Sequence, residues 1–306
     1  MTRPGLTLLL LVALGSIVRA DKIGRPMSGS EDLNLTTGTV RSVAQDYLVA
    51  PEGGELTGQM KFLMSDPSLG GQKLKFTDLG LFAIAGRYPL AKRIEVGGSL
   101  EFLPKQPSFT DENPLQSGSG LVRVALDGHH ALTLSGGGGH LLGHSGAWSR
   151  ESLALEYKKP IEREFLVFDM QVGVEEVTLG APHSRGAYLT EASVAFTVLA
   201  HDPHNIFAGW LGVAYALPVT SSGLDPTTAM PLDPQPRLDF HAGTGVAINK
   251  SWDLYADVAV VDRGDLADPT TRLPILDGGF DQMQVMFGVT RHLHEAAERG
   301  PLQVEY

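Results

Sequence analysis

Two long runs of alternating side chains, joined by a short polar segment, restrict this chain more than any other feature. In the first run, 186–200, apolar residues such as Phe196 alternate with small or polar residues such as Glu191. The second run, 205–219, alternates in the same way and follows the polar segment 201–204. Each run has about 15 residues, whereas an ordinary strand has roughly 5 to 6. Strands of this length, joined by a tight turn, predict a hairpin that crosses a membrane.

The same alternation continues along most of the chain, and the connections between segments differ in length in a regular way. Connections after even-numbered segments are short, and those after odd-numbered segments are mostly long, with 143–147 as the one short exception. A soluble sandwich has no reason to sort its connections like this, whereas an outer-membrane barrel has short periplasmic turns and longer extracellular loops. The sequence therefore predicts an all-β chain, a single antiparallel up-and-down transmembrane β-barrel of about 12 strands. The predicted segments are 55–64, 74–88, 92–103, 118–126, 130–142, 148–158, 162–174, 186–200, 205–219, 236–248, 251–263 and 279–293.

Composition excludes several classes of protein. The chain of 306 residues has no cysteine, so disulfides, thiolate metal sites and a cysteine nucleophile are absent. A formal net charge of -11 argues against nucleic acid as a partner, because nucleic-acid binding needs a basic face. Past the N-terminus, no run of about 20 apolar residues predicts a transmembrane helix. The sequence predicts no cofactor.

The N-terminus has the pattern of a targeting segment. Arg3 precedes an apolar stretch at 6–14, and 18–20 is a cleavage-site-like end. A membrane anchor is the alternative, but the apolar stretch is short for a helix that spans a bilayer. The predicted organisation is a signal peptide at 1–20, a short periplasmic N-terminal arm at 21–54, the barrel at 55–293 and a C-terminal tail at 294–306.

Side-chain parity predicts which residues face the interior of the barrel. One face of each segment is apolar and would contact lipid, and the other carries charged groups that would line the lumen. Aromatic residues near short turns, Tyr157, Phe207 and Trp252, fit a belt at the membrane interface. Parity turns Trp210 inward, which indicates either a bulge or a role in packing the lumen. The candidate lumen-lining residues are Glu95, Glu101, Arg123, Asp169, Glu191, Asp239, Asp253 and Asp257.

The last segment resembles a known class of strand. Gln282 to Leu293 is similar to the closing strand of Gram-negative outer-membrane β-barrels, which carries a glycine followed by alternating hydrophobic residues. Gly288 and Leu293 match that pattern, whereas Arg291 stands where an aromatic residue is common. The resemblance implies contact with outer-membrane lipid and recognition of 282–293 by the barrel-assembly machinery. It identifies no specific family.

Three functions stay open on the sequence alone. The preferred one is a channel or uptake pore for small solutes, with an interior that leans towards cations because inward acids outnumber inward bases. The first alternative is a structural or adhesive barrel with a plugged lumen. The second is an outer-membrane lipase-type enzyme, for which Thr133, Ser135 and nearby histidines are candidates, although no nucleophile motif surrounds them. No catalytic residue is assigned, and the histidine pairs lack the further ligands that a metal site needs.

Overall fold

The computed structural model describes residues 54–63, 68–69, 72–73, 80–102, 115–140, 147–161, 166–180, 187–201, 206–223, 235–249, 251–263 and 282–293. The predicted signal peptide, nearly all of the predicted N-terminal arm and the predicted C-terminal tail lie outside these residues. Within the described residues, no helix is long and apolar enough to cross a membrane.

Twelve long strands form one closed antiparallel barrel. Each strand pairs with the strands before and after it in the chain, and the last strand closes the barrel on the first with Gly54 opposite Leu293. A separate ladder of two-residue strands, Ser68–Leu69 and Gln72–Lys73, lies between the first two barrel strands in the chain. The barrel strands are β1 Gly54–Leu63, β2 Gly80–Ala91, β3 Ile94–Phe102, β4 Leu115–Ala125, β5 His130–His140, β6 Ala147–Ile161, β7 Leu166–Gly180, β8 Ala187–His201, β9 Phe207–Ser222, β10 Arg237–Asn249, β11 Trp252–Arg263 and β12 Gln282–Leu293.

The predicted up-and-down barrel of twelve strands is confirmed, and so is the sorting of its connections. The connection after β2 is Lys92 and Arg93 alone, whereas β1 and β2 are separated by residues 64–79. β7 differs from its prediction, because it continues to Gly180 and includes Glu175, which the sequence placed in a connection. Glu175 belongs to the strand because its carboxylate pairs with Arg150 of β6 on the inner face. A charged residue is therefore no sign of a loop when the strand has a polar inner face.

β2 also differs from its prediction, since it ends at Ala91 and contains a proline that the sequence placed in the turn. Pro89 lies opposite Glu95, and the register shifts between Pro89 and Ala91. A proline has no N–H to give to the ladder, and an extra residue in a β-bulge, here Leu90, lets the two strands continue past it. The strand thus extends to the two-residue turn.

The distribution of polar and apolar side chains is the reverse of that in a soluble protein. Large apolar residues such as Leu211 and Leu90, each 65% exposed, cover the outer face, while Lys61 and Glu101 are completely buried. On β8, Phe196 lies on the exposed face and Glu191 on the buried face, as the alternation predicts. Exposed apolar area on this scale is stable only against lipid, and a closed barrel leaves no unpaired strand edge in the bilayer.

The turn between β4 and β5 is organised by one carboxylate. Asp127 accepts hydrogen bonds from the backbone N–H groups of His129, at 2.7 Å, and His130, at 2.8 Å. The ring Nδ1 of His130 lies 2.9 Å from the same carboxylate. These bonds, the one from the backbone of His129 first, lower the pKa of Asp127 to about 2. The carboxylate is therefore charged in the folded turn at any pH above that value.

We expect this turn to lose order in acid. Because the pKa of Asp127 is lowered on folding, its contribution to stability is fully present above its ordinary value of 3.8 and is lost as the pH falls towards 2. A ¹³C NMR titration of the Asp127 carboxyl, with the amide signals of His129 and His130, would measure the midpoint. A midpoint at or above 3.8 would contradict the proposed bonding.

Candidate functional site on the inner face of the barrel

All eight residues predicted to line the lumen are buried on the inward face, with exposures between 0% and 3%. They do not form one cluster. The structure distributes them over six strands, with two residues each on β3 and β11 and one each on β4, β7, β8 and β10, and joins most of them to basic or polar partners. The eight are Glu95, Glu101, Arg123, Asp169, Glu191, Asp239, Asp253 and Asp257.

Arg123 of β4 is the centre of the first group. It lies directly opposite Glu95 on β3 and Thr133 on β5. Its Nη1 lies 3.3 Å from Glu95 Oε1, and its Nε lies 3.0 Å from Glu156 Oε2 on β6. Thr133 also donates to Glu156 at 2.9 Å. One guanidinium therefore holds two carboxylates against the wall across four strands.

Arg237 of β10 is the centre of a second group, near the ends of the strands that carry long connections. Its Nη1 lies 3.3 Å from Glu191 on β8, and its Nε lies 3.0 Å from Asp239 on its own strand. Glu191 stands opposite Glu175 of β7, and Arg150 lies 3.3 Å from Glu175. Two arginines thus flank two facing carboxylates, which would otherwise repel each other.

Glu101 and Asp169 take part in smaller sets. Glu101 of β3 pairs with Lys61, which reaches it from β1 across β2, and accepts a hydrogen bond from Ser117 at 2.7 Å. Asp169 of β7 stands directly opposite Lys158 of β6. Both carboxylates therefore have a lysine close to them.

A third group lies where the barrel closes. His292 of β12 places its Nδ1 3.0 Å from Glu55 on β1 and its Nε2 3.0 Å from Asp253 on β11. Glu55 also pairs with Arg87 of β2. A histidine ring that donates from both nitrogens is the cationic imidazolium. The closing seam is therefore held from inside by two cations and two carboxylates.

Trp210, whose place the sequence left open between a bulge and lumen packing, packs inside the barrel. It is 4% exposed and stands opposite Gly243 of β10 in regular register. A Cβ at Gly243 would overlap the indole ring, so the ring lies flat over that glycine. From there the indole Nε1–H donates to Asp257 on β11. The glycine leaves the space that lets the ring pass across β10.

Two other rings use glycines in the same way. Tyr255 of β11 lies over Gly288 of β12, and its hydroxyl donates to Gln59 of β1. His241 of β10 lies over Gly212 of β9, with its Nε2 3.5 Å from the hydroxyl of Thr197. Sequence reasoning noticed Gly288 only as part of the closing strand. The signal that it missed is an inward aromatic residue directly opposite an inward glycine.

The inner face carries more negative than positive charge. Among the described residues, its buried acids exceed its buried lysines and arginines by four, before the two histidines His241 and His292 are counted. Sequence reasoning did not assign Glu55, Arg87 or Glu156 to this face and named no individual lysine on it. The acids are Glu55, Glu95, Glu101, Glu156, Asp169, Glu175, Glu191, Asp239, Asp253 and Asp257, and the bases are Lys61, Arg87, Arg123, Arg150, Lys158 and Arg237.

The inward bonds described above follow the wall and do not cross the barrel. Each joins neighbouring or next-but-one strands, as Lys61 with Glu101 and Arg123 with Glu156 do. Twelve strands about 4.8 Å apart and tilted by about 40° form a closed backbone ring with a diameter of roughly 24 Å. Bonds that span two strands therefore run along the circumference.

The enzymatic candidates do not come together. Thr133 bonds Arg123 and Glu156, and Ser135 bonds Ser152 at 2.6 Å, all on the inner face. His130 packs on Tyr157, with ring centroids 5.0 Å apart, on the opposite side of the wall. Within the described strands and turns, no group of three or more histidine and carboxylate side chains is arranged to hold a metal ion.

A closed twelve-stranded barrel with an apolar outer face and a charged inner face defines the class of protein. It is an outer-membrane β-barrel, located in the outer membrane. The aromatic residues predicted near short turns lie at the end of the barrel that carries the short connections, with Phe207 59% and Trp252 38% exposed.

No protein-family model matches the chain, and no curated protein matches it. Solved structures of outer-membrane barrels are similar to this structure. An outer membrane channel from Pseudomonas putida F1 is 11% identical with a TM-score of 0.49, over 80% of this chain and 97% of that one. The translocator domain of the autotransporter NalP from Neisseria meningitidis is 9% identical with a TM-score of 0.47, over 85% and 99%. The KdgM porin, solved with disordered oligogalacturonate, is 10% identical with a TM-score of 0.42, over 78% and 99%. Similarity at this level says nothing about function.

Proposed function

We propose that this protein is an outer-membrane channel for small solutes, with a preference for cations over anions. The observation that carries the proposal is the excess of four buried carboxylates over lysine and arginine side chains on the described inner face, which is an excess of three once the His292 imidazolium is counted. Fixed charge of one sign in a narrow lumen raises the local concentration of counter-ions. The lumen would therefore admit small cations and neutral solutes more readily than anions.

The arrangement of the charged groups supports passage. Pairs such as Arg237 with Glu191 lie along the wall, so the charges are held in place without bridging the lumen. Fixed carboxylates at several heights give a cation weak sites in series, which conduction requires. Asp253 and Asp257 contribute two such heights on one strand.

One observation favours a second candidate, a barrel with a filled lumen and a structural or adhesive role. Lys61 and Glu101 are 0% exposed, and Arg123 is 1% exposed. Solvent reaches these side chains poorly in this structure, as it would in a barrel whose interior is packed. Conductance separates the two candidates directly.

An enzymatic role has less support. Among the described residues, Thr133 and Ser135 face the inside of the barrel, whereas His130 lies outside, so these candidates for a lipase-type site are on opposite sides of β5, and the nearby His144 lies outside the described residues. A hydroxyl nucleophile needs its base within hydrogen-bond distance. Ester hydrolysis by the purified protein would test this role independently of conductance.

The proposal is tested by recordings from the purified protein in planar bilayers under a gradient of KCl. We expect single-channel conductance and a reversal potential of the sign that cation preference gives. Replacing both Asp253 and Asp257 by asparagine lowers the inner-face excess from four to two, and should move the reversal potential towards zero. Asp127→Asn removes a charge from an exposed turn and is the matched control.

One result would contradict the channel, and another would contradict its preference for cations. Absence of conductance from protein that is folded, as judged by its heat-modifiable mobility on a gel, would favour the filled barrel. A reversal potential of the opposite sign would show that the paired bases, and not the excess acids, determine the field in the lumen.

A further inference from the structure

The inner face of β11 has an unusual order of side chains. Asp253, Tyr255 and Asp257 alternate on it, with exposures of 0%, 8% and 3%. Successive inward residues on a strand are about 7 Å apart, so the Cα atom of Tyr255 lies midway between those of two aspartates about 13 Å apart. We call this set of three residues the β11 acidic–aromatic face.

Each carboxylate of this face is bonded through one oxygen only. Asp253 Oδ2 bonds the ring of His292 at 3.0 Å, and Asp257 Oδ2 accepts the indole N–H of Trp210. Within the described structure, Oδ1 of Asp253 and Oδ1 of Asp257 are buried and have no hydrogen-bond partner. Buried carboxylate oxygens without donors are unfavourable, so both positions favour a ligand that supplies N–H groups.

The cationic side chains of the inner face are engaged with other acids. Arg123 holds Glu95 and Glu156, and Arg237 holds Glu191 and Asp239. A basic group beside Asp257 in the described structure is His241, whose Nδ1 lies 3.7 Å from the oxygen that accepts the indole N–H of Trp210. The charge of Asp257 is thus incompletely balanced by the protein.

Aromatic and apolar groups lie beside these oxygens. Trp210 lies over Gly243 and Tyr255 lies over Gly288, both on the inner face of the wall. Both rings belong to one buried cluster with Val167, Leu199 and Ala208. An ammonium ion beside aromatic faces and a carboxylate gains from both, whereas a hydrated metal cation gains nothing from the apolar atoms.

We propose that the β11 acidic–aromatic face and Trp210 form a binding site for small organic ammonium ions inside the barrel. The N–H groups would bond Oδ1 of Asp257 or Asp253, and the carbon skeleton would pack on Trp210 and Tyr255. A solute of this class could move from one carboxylate to the other past the tyrosine ring. The site rests on the proposed channel only for access from solution.

The test is calorimetric titration of the purified, folded barrel with benzylammonium chloride at constant ionic strength. We expect saturable binding, at least tenfold weaker for Asp257→Asn, and no saturable binding of benzyl alcohol, which has the same shape without the charge. Asp127→Asn, which removes an exposed charge from a turn, should bind within twofold of the unchanged protein. Absence of saturable binding, or equal binding by Asp257→Asn, would overturn the site.

A second readout keeps the test valid if Asp257→Asn does not fold. The chain has three tryptophans, so 5-fluorotryptophan labelling gives three ¹⁹F signals, and Trp210→Phe identifies one of them. Benzylammonium should shift the Trp210 signal and leave that of Trp252, on the outer face, unchanged. An unmoved Trp210 signal at saturation would place binding elsewhere. Binding without conductance would keep the site and refute the channel, and conductance without binding would do the reverse.

Discussion

Replacing Arg123 by methionine is expected to lower the free energy of unfolding of the barrel by about 3–5 kcal/mol. Methionine fills similar space but leaves Glu95 and Glu156 buried without their shared cation. Removing one partner of a buried ion pair is costly because the remaining charge stays desolvated. Urea unfolding from lipid vesicles, followed by gel mobility, would measure the change.

Arg93→Met is the matched control, because Arg93 is exposed in the turn between β2 and β3 and donates only to the carbonyl of Leu126, at 3.2 Å. Its change should be within about 0.5 kcal/mol of zero, as for most surface substitutions. Equal stability of the two variants would show that the carboxylates beside Arg123 are well hydrated, which would itself argue for a water-filled lumen.

Replacing Gly288 by alanine is expected to have the next largest effect. The added Cβ would overlap the ring of Tyr255, so the ring must leave its place over β12 and its hydroxyl must leave Gln59. Overpacking of this kind costs about 1–3 kcal/mol. The lost buried hydrogen bond adds about 1–3 kcal/mol. The same unfolding measurement would report the sum.

Gly58→Ala is the control for this variant. Gly58 lies on β1, the strand beside β12, and a Cβ there would meet its nearest atom, on Phe82, at 4.0 Å. Its effect should therefore be small. A Gly288→Ala barrel as stable as Gly58→Ala would mean that Tyr255 has another place to go, and the ring-over-glycine arrangement would lose its structural role.

The class of fold could be predicted from alternation and connection lengths, because both are local properties of the chain. A barrel strand has lipid on one side and polar groups on the other. Alternation along a single strand therefore assigns Phe196 to the outer face and Glu191 to the inner face, without knowledge of the strands beside it. The short turns at one end follow from the number of residues between successive alternating segments. This is why the twelve strands, and the end of β12 at Leu293, could be predicted from the sequence.

The inward position of the candidate residues follows from parity in the same way, but their partners do not. Lys61 and Glu101 are 40 residues apart and lie on strands that do not touch each other, and nothing in the sequence connects them. The register of β1, β2 and β3 brings them together. The seam between Glu55 and His292 depends on closure of the whole barrel, in which the first described barrel strand pairs with the last.

The sequence by itself determined that this chain forms an antiparallel barrel in a membrane with charged groups inside, because long alternating strands with connections sorted by length fit a membrane barrel and not a soluble sandwich. Only the tertiary structure decided which charges are balanced. The register sets each arginine opposite particular acids, and inward glycines let Trp210 and Tyr255 reach across a strand. The oxygens of Asp253 and Asp257 that lack hydrogen-bond partners are a result of that register, since pairing across strands is a property of neighbours in space and not of neighbours in sequence.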